Sequence, residues 1–215
     1  MLFEKDNILF IHIPKNAGSS IEKLFVSRGN TTETELIDDL KQFSKYTILA
    51  WEYFPSFINV FEKIIYTYHS TVSNYIMNKS KSYNIFTIIR HPQDRIVSFY
   101  IYFGIDTLMT FYQFLLKLWN NDDTLSKFIK KNQIDYLFNN SNINIDIINY
   151  DTLEEDWKAL CTKYNIEYTK LKNINTSDDH DKKCFYSGEN KNKILELVYD
   201  IYKADFEAFN FKLKY

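Results

Sequence analysis

Phe10-Ile11-His12-Ile13-Pro14-Lys15-Asn16-Ala17-Gly18-Ser19-Ser20 (FIHIPKNAGSS) carries an apolar run into a short turn of small and polar residues. The run Asn7 to Ile13 reads as a strand buried on both faces. Beyond the turn, Ile21, Leu24 and Phe25 share one helical face, and Ser19 with Glu22 forms the Ser-x-x-Glu pattern of a capping box. A strand, a small-residue turn and a helix start leave backbone N–H groups at the positive end of a helix dipole, which is an anion site. Ala17 and Gly18 let the backbone approach a phosphate, Ser19 and Ser20 add hydroxyl donors, and Lys15 adds a positive charge. The nucleotide P-loop G-x-x-x-x-G-K-[ST] has its lysine after the glycine. Here Lys15 comes before Gly18, entering from the strand side, where it reaches the far end of a diphosphate-like group.

Outward from this turn, strands and helices alternate. Lys63 to His69 (KIIYTYH) and Asn84 to Arg90 (NIFTIIR) read as the second and third strands, and Asn144 to Tyr150 (NIDIINY) as the fourth. Pro92 suits the first turn of a helix, with Asp94 near its positive end and Ile96, Val97 and Tyr100 on its apolar face. Further helices are expected over residues 107–119, over 126–138 with a break, over Leu153 to Tyr164 and over Lys191 to Phe209. The alternation predicts an α/β domain: a P-loop-like three-layer fold with a largely parallel sheet flanked by helices, in one domain spanning residues 1–215. No internal repeat or Gly/Ser-rich linker divides the chain.

In such sheets ligands bind outside the carboxyl ends of the strands. Arg90 closes the third strand, and its planar fork suits a phosphate. Ser98 lies eight residues on, about two turns into the next helix. Arg90 and Ser98 form a second anion site, and two separated phosphate sites point to a nucleotide phosphorylated at two places. Arg95 reads as an exposed or structural arginine.

The net charge of −2 over 215 residues argues against a dedicated nucleic-acid binder. A composition of 45% hydrophobic and 25% charged residues reads as globular and soluble. No run approaches the roughly 18 apolar residues of a membrane span. The opening MLFEKDN leaves no room for a signal peptide before the first strand, so a cytoplasmic or otherwise soluble location is expected. Cys161 and Cys184 match neither a metal spacing nor a dense disulfide framework, and two reduced thiols are expected.

PKNAGSS after the first strand, RHPQDRIVSFY after a later one and ENKNKILELVYDIYKADFEAFNF near the end resemble the carbohydrate-type sulfotransferases, enzymes related to the heparan and chondroitin sulfotransferases. IINYDTLEEDWKAL and LKNINTS are also similar to segments of that family, so the resemblance runs from about Ile8 to Tyr215. It implies transfer of a sulfuryl group from 3′-phosphoadenosine 5′-phosphosulfate (PAPS) to a hydroxyl, with adenosine 3′,5′-bisphosphate as product. Lys15, Asn16, Ala17, Gly18, Ser19 and Ser20 match the 5′-phosphosulfate loop, and Arg90 and Ser98 match the residues that hold the 3′-phosphate. The adenine side falls near Asn175 to Lys183, with no base-stacking residue assigned.

Sulfuryl transfer, like phosphoryl transfer, is in-line and builds charge on the bridging oxygen of the leaving group. Lys15 stabilises that oxygen in this reading, and no metal is required. The acceptor hydroxyl loses a proton, for which a histidine is the usual base. His69, at the carboxyl end of KIIYTYH, ranks first, with Glu52 as substitute. His12 reads as structural, His91 stands where the family often has aspartate, and His180 lies in a polar stretch. The implied partner is a hydroxyl-bearing acceptor, a glycan by the resemblance, and the oligomeric state is not legible. Two alternatives stay open: a P-loop nucleotide kinase or NTPase, which requires a GK[ST] loop, and a non-catalytic nucleotide-binding protein of the same fold.

Overall fold

The computed structural model describes residues 1–3, 5–30, 83–137, 144–171 and 181–215. The strands are β1 (Leu2–Phe3), β2 (Ile8–Ile11), β3 (Asn84–Ile89) and β4 (Asp146–Asn149). The helices are α1 (Gly18–Ser27), α2 (Pro92–Tyr102), α3 (Phe111–Asn120), α4 (Thr124–Lys130), α5 (Leu153–Tyr164), α6 (Lys191–Ile201) and α7 (Lys203–Ala208). The expected second strand at residues 63–69 lies outside the described residues. The chain divides into two compact units: Met1–Thr34 with Tyr66–Arg90 and Asp135–Asn175, and Glu35–Ile65 with His91–Ile134 and Thr176–Tyr215.

The first unit holds a mixed sheet in the order β1-β2-β3-β4, so the protein is α/β. β2 pairs parallel with β3 and β3 parallel with β4, with Phe10 opposite Phe86 and Ile88 opposite Ile148. The antiparallel edge strand β1, with Phe3 opposite Ile8, is absent from the sequence reading. A two-residue strand is too short to show alternation. The two long strands read from sequence end early. β2 stops at Ile11, ahead of Pro14, a residue that cannot donate to a ladder. After β4, Tyr150–Thr152 tightens into a 3-10 turn, with the Asn149 side chain accepting from the Asp151 N–H at 3.1 Å.

Strand alternation sends Ile8, Phe10, Phe86, Ile88 and Ile148 to one face, where Ile21 and Phe25 of α1 and Trp157 and Leu160 of α5 join them. Trp157 is fully buried, 5.9 Å from Phe86 and 6.1 Å from Phe25 ring to ring, and its indole N–H donates to the Thr169 carbonyl at 3.1 Å. On the other face, Ile11 packs with Ile13 and Tyr136. Thr87, at the same level, donates its hydroxyl to the Ile11 carbonyl at 2.9 Å.

In its described residues the second unit is helical. Ile96, Val97 and Tyr100 of α2 share a core with Phe114 and Leu118 of α3, Val198 of α6 and Phe206 of α7. α3 starts later than its periodicity predicts because Thr110 and Gln113 form a reciprocal capping box; Leu108 falls outside the helix and is exposed. The helix expected over 126–138 is α4, started earlier by the Asp123 cap, followed by a 3-10 turn at Ile134–Tyr136. The single helix expected over Lys191 to Phe209 is broken at Tyr202, which is buried and donates its hydroxyl to the Ile129 carbonyl at 2.6 Å. Arg95 is fully buried, not exposed. Its guanidinium lies over the Phe99 and Tyr202 rings and donates to the Lys131 carbonyl at 3.0 Å.

Candidate functional site

The turn between β2 and α1 is built by two non-glycine residues in the left-handed region, Lys15 (φ 68°) and Ala17 (φ 61°). Such backbone costs on the order of 1–3 kcal/mol per residue and persists only where the surroundings hold it. Asn16 supplies one hold: it is fully buried, and its Nδ2 donates to the Ile88 carbonyl of β3 at 2.7 Å. The His12 imidazole supplies another. It stacks on Phe10 with centroids 5.8 Å apart and lies against Gly18 so closely that a Cβ there would fall 1.9 Å from Nε2. Only glycine fits beneath that ring.

The expected capping box is absent. Ala17 occupies the N-cap position and makes no side-chain cap; Ser19 lies inside the first turn and Glu22 is buried. The left-handed Ala17 brings the helix start forward to Gly18, past the point where a Ser19 cap would act. Gly18 and Ser19 therefore supply leading N–H groups of α1, which in any α-helix lack intrahelical acceptors.

Arg90 leaves the end of β3 almost wholly buried. Its Nη1 donates to the Lys15 carbonyl at 2.9 Å, and its guanidinium lies 4.1 Å from the centre of the Tyr150 ring, directly after β4. Tyr150 is in turn set by the end of β4, where the Asn149 N–H and Thr152 hydroxyl both donate to Asp156 Oδ2, at 2.9 and 2.7 Å. Lys15 is the second cation. Burial, and then the charge of Arg90, push its ammonium pKa from 10.5 down to about 7. A positively charged group so disfavoured is stabilised by an anion placed beside it.

The first unit thus brings together Lys15, Asn16, Ala17, Gly18, Ser19, Ser20 and Arg90. Ser98 is buried on α2 of the second unit. His69, Glu52 and His180 lie outside the described residues, as does the stretch 175–180 of the expected adenine side. Two features, one in each unit, were not anticipated from sequence. Tyr150 stands at the carboxyl end of the strand next to β3, a position that flags a cleft residue. His91 serves as the N-cap of α2, its Nδ1 accepting from the Gln93 N–H at 3.2 Å.

Among the described residues, no group of three or more His, Cys, Asp or Glu side chains could hold a metal ion, and no helix is long and apolar enough to cross a membrane. Cys161 and Cys184 are both free thiols. A family model described as "Sulfotransferase family" matches residues 1–212. No curated protein and no solved structure matches the chain.

Proposed function

The chain belongs to the sulfotransferase family, and from that premise we propose that it moves a sulfuryl group from PAPS to an acceptor hydroxyl on a carbohydrate. The observation that carries the donor assignment is the convergence of Lys15 and Arg90. Two cations, one with its pKa depressed partly by the other, border the turn between β2 and α1. That arrangement supports a donor that carries an anionic group for each cation, the 5′-phosphosulfate for Lys15 and the 3′-phosphate for Arg90.

In this reading Lys15 to Ser20 receive the 5′-phosphosulfate, and Arg90, with the Ser98 hydroxyl, receives the 3′-phosphate. The acceptor oxygen bonds to sulfur as the bond from sulfur to the bridging oxygen breaks. Lys15 stabilises the negative charge left on the departing phosphate oxygen, and His69 takes the acceptor's proton. No metal has a role in these steps. The carbohydrate acceptor, the three-layer P-loop-like arrangement and a single sulfotransferase domain over residues 1–215 rest on the likeness of PKNAGSS and RHPQDRIVSFY to carbohydrate sulfotransferases.

Thermal unfolding with added nucleotide tests the donor. Adenosine 3′,5′-bisphosphate at ~100 times its dissociation constant stabilises by about 2.7 kcal/mol, a readily measured melting shift. A shift with Mg-ATP and none with the bisphosphate overturns the proposal in favour of a kinase. An acceptor screen with radiolabelled PAPS over sugars, glycans and phenols then tests the substrate class.

A further inference from the structure

In the second unit, the segment Lys212–Tyr215 lies along the first turn of α2. The Lys212 carbonyl is 2.7 Å from His91 Nε2. The Lys214 backbone N–H donates to Gln93 Oε1 at 2.7 Å, and its ammonium pairs with Asp94 Oδ2 at 2.7 Å. The Tyr215 hydroxyl donates to Asp94 Oδ1 at 2.8 Å. Rings reinforce these bonds. His91 lies 5.1 Å from Phe211 and 5.7 Å from Phe206 between centroids. Tyr215 stacks on Tyr186 at 4.9 Å, and Tyr186 donates its hydroxyl to the Gln93 carbonyl at 2.7 Å.

These contacts fix the state of His91. Its Nδ1 accepts from the Gln93 N–H, so its proton sits on Nε2 and is donated to the Lys212 carbonyl. An aspartate at 91 would serve the cap but could not donate to Lys212. Burial works against the charged form of Asp94, yet the hydrogen bonds from Lys214 and Tyr215 hold its carboxyl below the ordinary value.

The apolar face of α2 is already secured by the core through Ile96, Val97, Phe99 and Tyr100. The contacts from Lys212–Tyr215 fall instead on polar atoms of His91, Gln93 and Asp94. They fix where the helix begins, immediately after Arg90 in the chain. We propose that Lys212–Tyr215 is a strap that positions Ser98, a 3′-phosphate ligand of the donor nucleotide, by fixing the first turn of the helix that carries it. This rests on the donor reading above.

The test compares adenosine 3′,5′-bisphosphate with adenosine 5′-phosphate by calorimetric titration of the full chain. In the K214M/Y215F double variant the preference for the bisphosphate falls about tenfold, the scale on which outer supporting contacts act. Affinity for the 5′-phosphate stays within about twofold of wild type, since the shared part of the ligand is gripped elsewhere. His91→Asp keeps the cap, loses the bond to Lys212 and lowers the preference in the same direction; it carries the test alone if the double variant does not fold. A preference unchanged in both variants, or equal weakening of both nucleotides, overturns the strap. Wild-type protein that binds neither nucleotide overturns the donor reading, and the strap with it.

Discussion

Lys15 is placed where its charge is least comfortable. Burial and the Arg90 guanidinium bring its pKa to about 7, against an ordinary 10.5. A phosphosulfate beside it restores the charged form, so donor binding takes up a proton between these two values. Affinity for adenosine 3′,5′-bisphosphate therefore falls as pH rises above about 7, by up to about tenfold per unit. Lys15→Ala flattens that slope and lowers turnover by roughly 10²–10³-fold, the usual loss when a charge-stabilising donor is removed. Calorimetric titration across pH 6.5–9.5 and steady-state rates check both; an unchanged turnover removes Lys15 from the chemistry. The same group affects folding. The cost of keeping Lys15 charged is present in full below its folded pKa and is relieved as pH climbs from there, so its contribution favours the native state at alkaline pH. Gly18 is the other decisive residue. A methyl there collides with the His12 ring, so Gly18→Ala displaces the turn and abolishes nucleotide binding. His12→Ala in the Gly18→Ala background removes the collision, and partial return of binding in a titration is the expected result. That Lys15 and Gly18 share one turn between a strand and a helix was legible in the sequence. The His12–Gly18 contact was not, because it pairs a strand end with a helix start, and no local pattern encodes that.

At the scale of elements, the site is a matter of strand ends. β3 delivers Arg90, β2 delivers the turn, and β4 delivers Tyr150 beneath the guanidinium. Arg90→Ala removes charged hydrogen bonds worth about 1.5–3 kcal/mol, so affinity for adenosine 3′,5′-bisphosphate drops roughly ten- to hundredfold. Affinity for adenosine 5′-phosphate drops much less; equal losses contradict the assignment of Arg90 to the 3′-phosphate. The strands β2, β3 and β4 and the helices α1, α2 and α5 were readable because each carries a clean apolar period or run. The helix boundaries were less so. The capping box read at Ser19 and Glu22 failed because tertiary contacts hold Lys15 and Ala17 in left-handed backbone, and that overrides a cap preference of about 1 kcal/mol. The box at Thr110 and Gln113 formed as such boxes do. The break at Tyr202 follows from a buried hydroxyl seeking the Ile129 carbonyl, a long-range demand that helical periodicity does not register.

For the whole molecule, each unit has its own apolar core, and the first depends heavily on one side chain. Trp157 packs on Phe25 and Phe86 and anchors Thr169 through its indole. Trp157→Ala costs about 3–5 kcal/mol, read as a fall in the urea midpoint, whereas Trp157→Phe recovers most of the packing and loses the indole bond. A shift below 1 kcal/mol for the alanine variant, by the same measurement, contradicts a central role for this ring. The α/β class was legible from the alternation of apolar runs. The division into two units was not, because the chain enters and leaves each of them repeatedly, and no change in composition marks the exchanges.

The parallel pairing of β2 with β3 joins Ile8 to Asn84, and the buried side chain of Asn16 waits for the carbonyl of Ile88. During synthesis, then, the turn between β2 and α1 lacks the Ile88 carbonyl that its Asn16 donates to until the chain 72 residues further on has been made. Contacts this distant along the chain slow folding. Until β3 arrives, β2 leaves an apolar strand edge open, which makes the nascent segment a natural client for chaperones.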